Sequence, residues 1–339
     1  MVFGVKPLRL LGLLVGLLVV AGLVLTQVPS NDYLLLPDRA HPVAPLVRVQ
    51  GGHQPSGAGG IYFVDVRDQP ASVFESWFPF VRSGASLVPA SEVVPPGVSN
   101  AGAEQIARRQ MTMSQRFAAA VALRRLGYHV VARANGVIVD ALLEGTHAIG
   151  KLEQTDVIVS ANGVPTPTIA KLHATLASVR PGQIATLGVL RGDAHLSVRV
   201  QTVADPLDRT RAIIGFAPRQ SAQIRLPLKV QIDAGNVGGP SAGLAFALQV
   251  MEELGPKIDR GYRVAATGEI MLDGTVGPIG GVKQKTFGAR EAHADVFLVP
   301  AAGDNAAEAR RYANGLRIIA VQSFPQALRA LATLPPKGK

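Results

Sequence analysis

One hydroxyl sits in a run of small residues, Gly238–Gly239–Pro240–Ser241–Ala242–Gly243, at the head of the apolar stretch Leu244–Leu254. Downstream, Gly280–Gly281–Val282–Lys283–Gln284–Lys285 supplies an amine that can serve as its base. A serine in a glycine turn with a partly buried lysine nearby is equipment for acyl transfer. Gly238 and Gly239 permit backbone angles closed to other residues, so the turn can be sharp and bare. Pro240 stiffens the approach, and Ala242 and Gly243 leave room for a substrate backbone. A helix expected to begin at Ser241 would point free N–H groups at a developing oxyanion. The plain alternative is a serine capping a helix after a glycine turn. The lysine motif downstream favours the chemical reading.

Two lysines compete for the role of base. On a helix from Gly281, Lys285 shares a face with Val282, Ala289 and Ala292, whereas Lys283 lies with Phe287 and Arg290. A useful base must be neutral, so its pKa must fall from about 10.4 toward 7–8 through burial. The apolar face selects Lys285; Lys283 is expected to be solvated or near substrate. The seven histidines are scattered without ligand spacing, so no metal is expected. There is no cysteine, which removes disulfides and thiol catalysis.

These residues need elements to position them. The 339 residues suffice for about two globular domains plus extra segments, and 47% hydrophobic against 17% charged content provides material for cores. The net charge of +10 would suit anionic lipid or nucleic acid. With 5% aromatics, no zinc-finger spacing and no clustered basic tract, nucleic acid is not expected as a partner. After Lys6 and Arg9, the uncharged run from Leu10 to Thr26 would reach about 25 Å as a helix, against a ~30 Å hydrocarbon core. No small-x-small cleavage pattern follows it, which disfavours a cleaved signal peptide. The positive-inside rule then predicts a cytoplasmic tail at 1–9, a transmembrane helix at 10–28 and an extracytoplasmic body in the cell membrane.

Residues 29–126 read as a Pro/Gly/Ser-rich strand and loop segment ending in a helix over Ala103–Leu126, stopped by Gly127. Gly60–Val66 reads as a strand buried on both faces. From 127 to 203 the pattern is strand and turn. Gly136–Val139 begins it, Val157–Ala161 runs into an Asn162–Gly163 turn, and Ile169–Val179 is helical. Two strands, Ile184–Leu190 and His195–Val203, close it around Arg191–Gly192–Asp193. Gly145-x4-Gly150–Lys151 nearly spells a phosphate-binding loop, but Leu152 lacks the hydroxyl that would hold magnesium, and no cofactor is expected.

The order around Gly150–Gly163 and Pro181–Arg191 resembles a bacterial PDZ domain, with Thr155 before Asp156 as a small departure. That resemblance implies a peptide adding as a strand beside the helix from Ile169, its carboxylate held by N–H groups of Leu126–Gly127–Tyr128–His129. The alternative is a rigid spacer with a blocked groove. Residues 210–334 resemble the proteolytic domain of Lon-type proteases. The resemblance rests on Gly239–Gly243, Thr267–Gly268–Glu269–Ile270, Gly274–Lys285 and Val296–Pro300 in family order. It places the family nucleophile on Ser241 and the lysine on Lys285, with Thr267 and Gly239 in support. Cytosolic members commonly carry an acid three residues before the serine, where this chain has Gly238. No nucleotide motif precedes Tyr128, so ATP-driven unfolding is not expected of this polypeptide.

The chain thus reads as an α+β protein similar to bacterial membrane-anchored, PDZ-containing Lon-like serine proteases. The resemblance implies unfolded or C-terminally recognised polypeptide substrates and a homo-oligomeric ring. The rival expectations are a membrane-tethered peptide-binding scaffold with an inactive Lon fold, and a narrow processing peptidase acting on one membrane neighbour.

Overall fold

The computed structural model describes residues 7–55 and 57–337, the first four of these by backbone alone. Helix α1 (Pro7–Leu25) ends where Thr26 and Gln27 turn back onto Gly22 and Val24. Among the described residues no helix is long and apolar enough to cross a membrane, so the span expected at 10–28 is not shown. Lys6 and the side chain of Arg9, on which the expected orientation rests, lie outside the described residues. Strand β1 (Pro29–Pro37) follows, then β2 (His41–Pro42), β3 (Val47–Val49), β4 (Gly60–Phe63) and β5 (Val66–Ser72). A short helix α2 (Val73–Trp77) and β6 (Ser86–Pro89) complete a three-stranded sheet in the order β5-β1-β6. Strand β4 buries Ile61 and Phe63 and leaves Gly60 and Tyr62 half-covered, so it is not the doubly buried strand expected. It stops at Phe63, because β5 begins three residues later in another sheet.

Helix α3 (Asn100–Arg125) starts three residues before the expected Ala103, because the Ser99 hydroxyl accepts the N–H of Gly102 at 3.1 Å. It ends at Gly127, whose φ of +88° allows the N–H groups of Leu126, Gly127 and Tyr128 to donate to carbonyls of the last turn. The chain then enters a separate sheet. Its strands are β7 (Val131–Leu142) and β8 (Val157–Ala161), then, after helix α4 (Ile169–Leu176), β9 (Ile184–Arg191), β10 (Ala194–Gln201) and β11 (Phe216–Arg225). The strand order is β10-β9-β8-β7-β11. Asn162 and Gly163 both take positive φ, the requirement of a tight primed turn, and β8 folds back onto Val164–Pro165 there. The antiparallel partner of β7 along its whole length is β11, which lies beyond the expected boundary at 203.

The chain returns through β12 (Val230–Ile232), which pairs with β3. Helix α5 (Gly243–Leu254) follows, then β13 (Arg263–Ala266), α6 (Val282–Glu291), β14 (Val296–Pro300), β15 (Arg317–Val321) and α7 (Phe324–Ala332). The main sheet has the order β2-β4-β13-β14-β15, parallel from β4 to β15. A strand from residues 60–63 thus sits beside one from residues 263–266, and the unit expected at 210–334 is completed by residues 41–63. Helix α5 is buried on all sides from Gly243 to Glu253, which explains its apolar run from Leu244 to Leu248 on every face; Gln249, Glu252 and Glu253 are buried with it. It packs between the sheet and α3, with Phe246 against Phe63 at a ring separation of 6.2 Å.

Phe63→Ala and Phe246→Ala are each expected to lower the unfolding free energy by roughly 3–5 kcal/mol. Denaturant midpoints at constant m-value measure this. A Phe63→Ala cost below about 0.5 kcal/mol, within the range of ordinary surface changes, would detach residues 41–63 from this core.

Candidate active site

Helix α5 begins at Gly243 with Ala242 as its cap residue, so Ser241 stands just before the helix and not at its first turn. The physical reason is that neighbouring backbone already holds the Ser241 carbonyl. That carbonyl accepts the N–H of Gly268 at 2.8 Å and the Thr267 hydroxyl at 3.2 Å. Leu244 N–H donates to Gly268 O at 3.1 Å, and Gly243 N–H to Pro240 O at 3.3 Å. The first helical N–H groups therefore have partners and are not the free oxyanion donors expected.

Gly239 has φ +80°, with no atom within 4 Å of where a Cβ would stand, so the approach to the hydroxyl is open on that side. Gly238 is needed for a different reason: a Cβ there would meet Ala107 Cβ at 2.7 Å. Helix α3 supports the turn from below. Ala107 O accepts Gly239 N–H at 2.8 Å, and the buried Ser114 hydroxyl donates to Pro240 O at 2.8 Å. Neither contact was visible in the motif pattern, because α3 precedes the turn by more than a hundred residues.

Lys285 reaches the turn from α6. Gly281 opens that helix in the left-handed region at φ +67°, and a Cβ there would strike Val66 Cγ2 at 2.7 Å. Glycine alone suits that corner. The Lys285 amine is 2.6 Å from Ser241 Oγ and 3.4 Å from Thr267 Oγ1. It is 4% exposed, and Thr267 is fully buried. Burial pushes the Lys285 amine down from 10.5 to about 8, while the Asp65 carboxylate pulls it partly back. The Thr267 hydroxyl donates to Ser241 O and turns its lone pairs to the lysine, which ties the amine to the serine backbone. All four sequence-selected residues, Ser241, Lys285, Thr267 and Gly239, are brought into this one place. Lys283, expected to be solvated or near substrate, is half-buried: its amine donates to Ala85 O at 2.7 Å and lies 5.6 Å from the Tyr312 ring centre.

Asp65 escaped the sequence reading, since nothing about an acid after β4 signals proximity to Lys285. Burial raises its own pKa, Asp38 adds to that, and His41 opposes it. Asp38, His41 and Asp65 each bring one ligand atom within 4.8 Å of the others, the one such group among the described residues. Arg67 Nε already lies 3.5 Å from Asp38 Oδ2. On the other flank, a crevice lined by Met113, Ser114, Arg219, Pro240 and Glu269 lies beside the turn. Arg219 of β11 joins the two units, pairing with Asp140 at 2.8 Å and with Glu269.

The expected carboxylate loop at Leu126–His129 does not have the N–H groups assigned to it. Three of them already donate within the cap of α3. The side of β7 opposite β8 is taken by β11, and Gln220 of that strand accepts the Ile169 N–H at the start of α4. A strand of the same chain thus fills the place beside β7.

Residues 214–333 match a family described as the Lon protease (S16) C-terminal proteolytic domain, and residues 124–202 match the PDZ domain family. Lon protease 2 of Bacillus subtilis (strain 168) is 37% identical over 100 residues, covering 30% of this chain and 18% of that protein. The Lon protease of Roseiflexus castenholzii is 37% identical over 142 residues, covering 40% of this chain and 17% of that protein. The chain therefore spans less than a fifth of these relatives' length. Among solved structures, the PDZ domain of an SdrC-like protein from Listeria monocytogenes is 19% identical, covers 25% of this chain and 87% of its own, and has a TM-score of 0.23.

Ser114→Ala leaves the Pro240 carbonyl without its side-chain donor. We expect this to cost about 1–2 kcal/mol of stability, read from thermal or denaturant unfolding.

Proposed function

We propose that this chain, a Lon-like protease with a PDZ domain, is a serine endopeptidase that cleaves polypeptides through a Ser241–Lys285 dyad. The observation that carries the reading is the 2.6 Å contact between Ser241 Oγ and a buried lysine amine. In its neutral form Lys285 removes the proton from Ser241 as the oxygen attacks the peptide carbonyl carbon. The oxyanion is met by N–H groups of the turn at Ser241 and Ala242, ahead of α5, whose positive end adds to the field. Lys285 then gives its proton to the departing amine nitrogen, leaving an ester on Ser241. A water that loses its proton to Lys285 hydrolyses that ester and restores the serine.

The open space over Gly239 suits an extended backbone, so unfolded segments are the proposed substrates. Selection of C-termini at β7 is not part of the proposal, because β11 occupies that edge; a peptide entering beside α4 would pair with the outer edge of β11. We further propose membrane attachment through α1, with the body on the extracytoplasmic face. Supporting this, Leu13, Leu17, Leu18 and Leu23 are each more than 60% exposed along α1. A homo-oligomeric ring belongs to the same reading. The inactive-scaffold alternative is disfavoured by a complete dyad at bonding distance.

Ser241→Ala and Lys285→Met should each abolish cleavage of unfolded casein, assayed without added nucleotide. Lys285→Met should also raise Tm at neutral pH. The folded-state pKa lies below 10.5, so the protonated amine opposes folding, by on the order of 3 kcal/mol at pH 7. That burden declines as pH rises from about 8 to 10.5 and the unfolded chain loses the proton too. The gain from Lys285→Met should decline with it. Full activity in either variant would refute the dyad.

The rate kcat/KM should rise with pH through about 8, with a tenfold loss per unit on the acidic side, as Lys285 must be neutral to act. Asp65→Asn removes the charge that favours protonated Lys285, so this limb should move to lower pH. An unmoved limb would show that carboxylate and amine are uncoupled.

A further inference from the structure

From the last residue of α2 onward the chain presents its apolar side chains outward. Trp77 is 63% exposed, Phe78 40%, Phe80 78% and Val81 63%, an apolar tip on the crossover that joins β5 to β6 on either side of β1. The tip is not loose. Ser72 and Glu75 cap α2 reciprocally, Arg82 pairs with Glu75 at 2.8 Å, and Pro79–Val81 closes as a 3₁₀ turn. The Phe78 ring is held between Phe74 at 5.1 Å and Phe80 at 6.0 Å. A built scaffold thus holds large hydrophobic groups in the solvent, where contiguous apolar surface normally marks a binding face.

Its position indicates the partner. Val73 N–H donates to Val28 O at 2.8 Å, so the start of α2 is fixed three residues past the end of α1, and the two helices touch. The segment that carries the tip therefore starts beside the C-terminal end of α1, whose exposed side chains from Leu11 to Val24 are apolar. Tryptophan and phenylalanine beside an arginine are the side chains that settle at the boundary between headgroups and acyl chains.

We propose that residues Trp77–Val81 are a lipid-interface anchor: they insert into the headgroup–acyl boundary of the bilayer that receives α1. This rests on the membrane attachment proposed above and adds to it a second contact, on the folded body. Residues 84–86 extend from the tip to α6, where Gly84 O accepts Gln284 Nε2 at 3.1 Å and Ala85 O accepts the Lys283 amine. The catalytic helix would then be held close to the membrane surface, and polypeptide leaving or lining the bilayer would be the substrate within reach.

Trp77 is the sole tryptophan of the chain, so its emission reports on the tip alone. The full chain is reconstituted into phosphatidylcholine–phosphatidylglycerol vesicles, and flotation is measured alongside fluorescence. The expected result is co-flotation with a blue-shifted Trp77 emission, protected from acrylamide and quenched by lipids brominated near the headgroup. Phe80→Asp should return the emission toward its value in water; retained casein cleavage by that variant shows that it is folded. Co-flotation with Trp77 still open to acrylamide and insensitive to brominated lipid would overturn the tip anchor while leaving α1 attachment standing. Failure to float would overturn both. A blue shift without lipid that grows with protein concentration would assign the tip to a second copy of the chain. A shift on adding unfolded casein alone would assign it to substrate. Either outcome overturns the lipid assignment.

Discussion

An amine kept out of water beside an alcohol is the constraint around which this molecule is arranged. A lysine 4% exposed is costly to bury while protonated, and its surroundings must offset that without restoring full solvation. Here the compensation is sparse: two hydroxyl oxygens in contact and one carboxylate acting at longer range. The small number of partners is what keeps the pKa near 8. A tighter ion pair would hold the proton permanently, and complete isolation would destabilise the fold for no chemical return. Thr267 and Asp65 thus work on the same amine from different distances.

Placing the amine also fixes the backbone around it. Gly281 turns α6 sharply against Val66, and the carbonyls of Gly84 and Ala85 hold its first turn. On the serine side, Gly268 and Thr267 clasp the Ser241 carbonyl, and α3 supports Gly239 and Pro240. Two glycines next to each other serve opposite purposes: Gly239 keeps space empty, and Gly238 lets another helix come close. Substituting either would act through different physics, left-handed strain at one and collision at the other.

The parts readable from the sequence were those encoded by local rules. Glycine at positions needing unusual angles, an apolar helix buried on every side and an Asn–Gly hairpin turn all leave short-range signatures, and they led to Ser241, Lys285 and the strands of the second unit. The start of α5 was misplaced by two residues, since a tertiary contact to Gly268 sets it and not a capping side chain. What stayed hidden depends on pairing between distant segments. Nothing in Gly60–Phe63 announces that it will lie beside Arg263–Ala266, and nothing in Phe216–Arg225 announces β7 as its partner. Asp65, Ser114 and Ala107 acquire their roles only through such pairings. The N–H groups expected to grip a carboxylate were drawn instead into ending α3, a local demand that a sequence pattern does not rank.

The interleaved strand order has a practical side. A fragment cut at the limits of sequence similarity, residues 214–333, would keep the serine and the lysine but lose β4 and α3. Strand β13 would become an unprotected border with its hydrogen-bonding groups bare, and one flank of α5 would face water. Exposed borders of that kind recruit other chains and precipitate. The smallest soluble piece that retains the chemistry must therefore begin ahead of His41, and any attempt to dispense with the second unit must excise it from within and rejoin Arg125 to Val230.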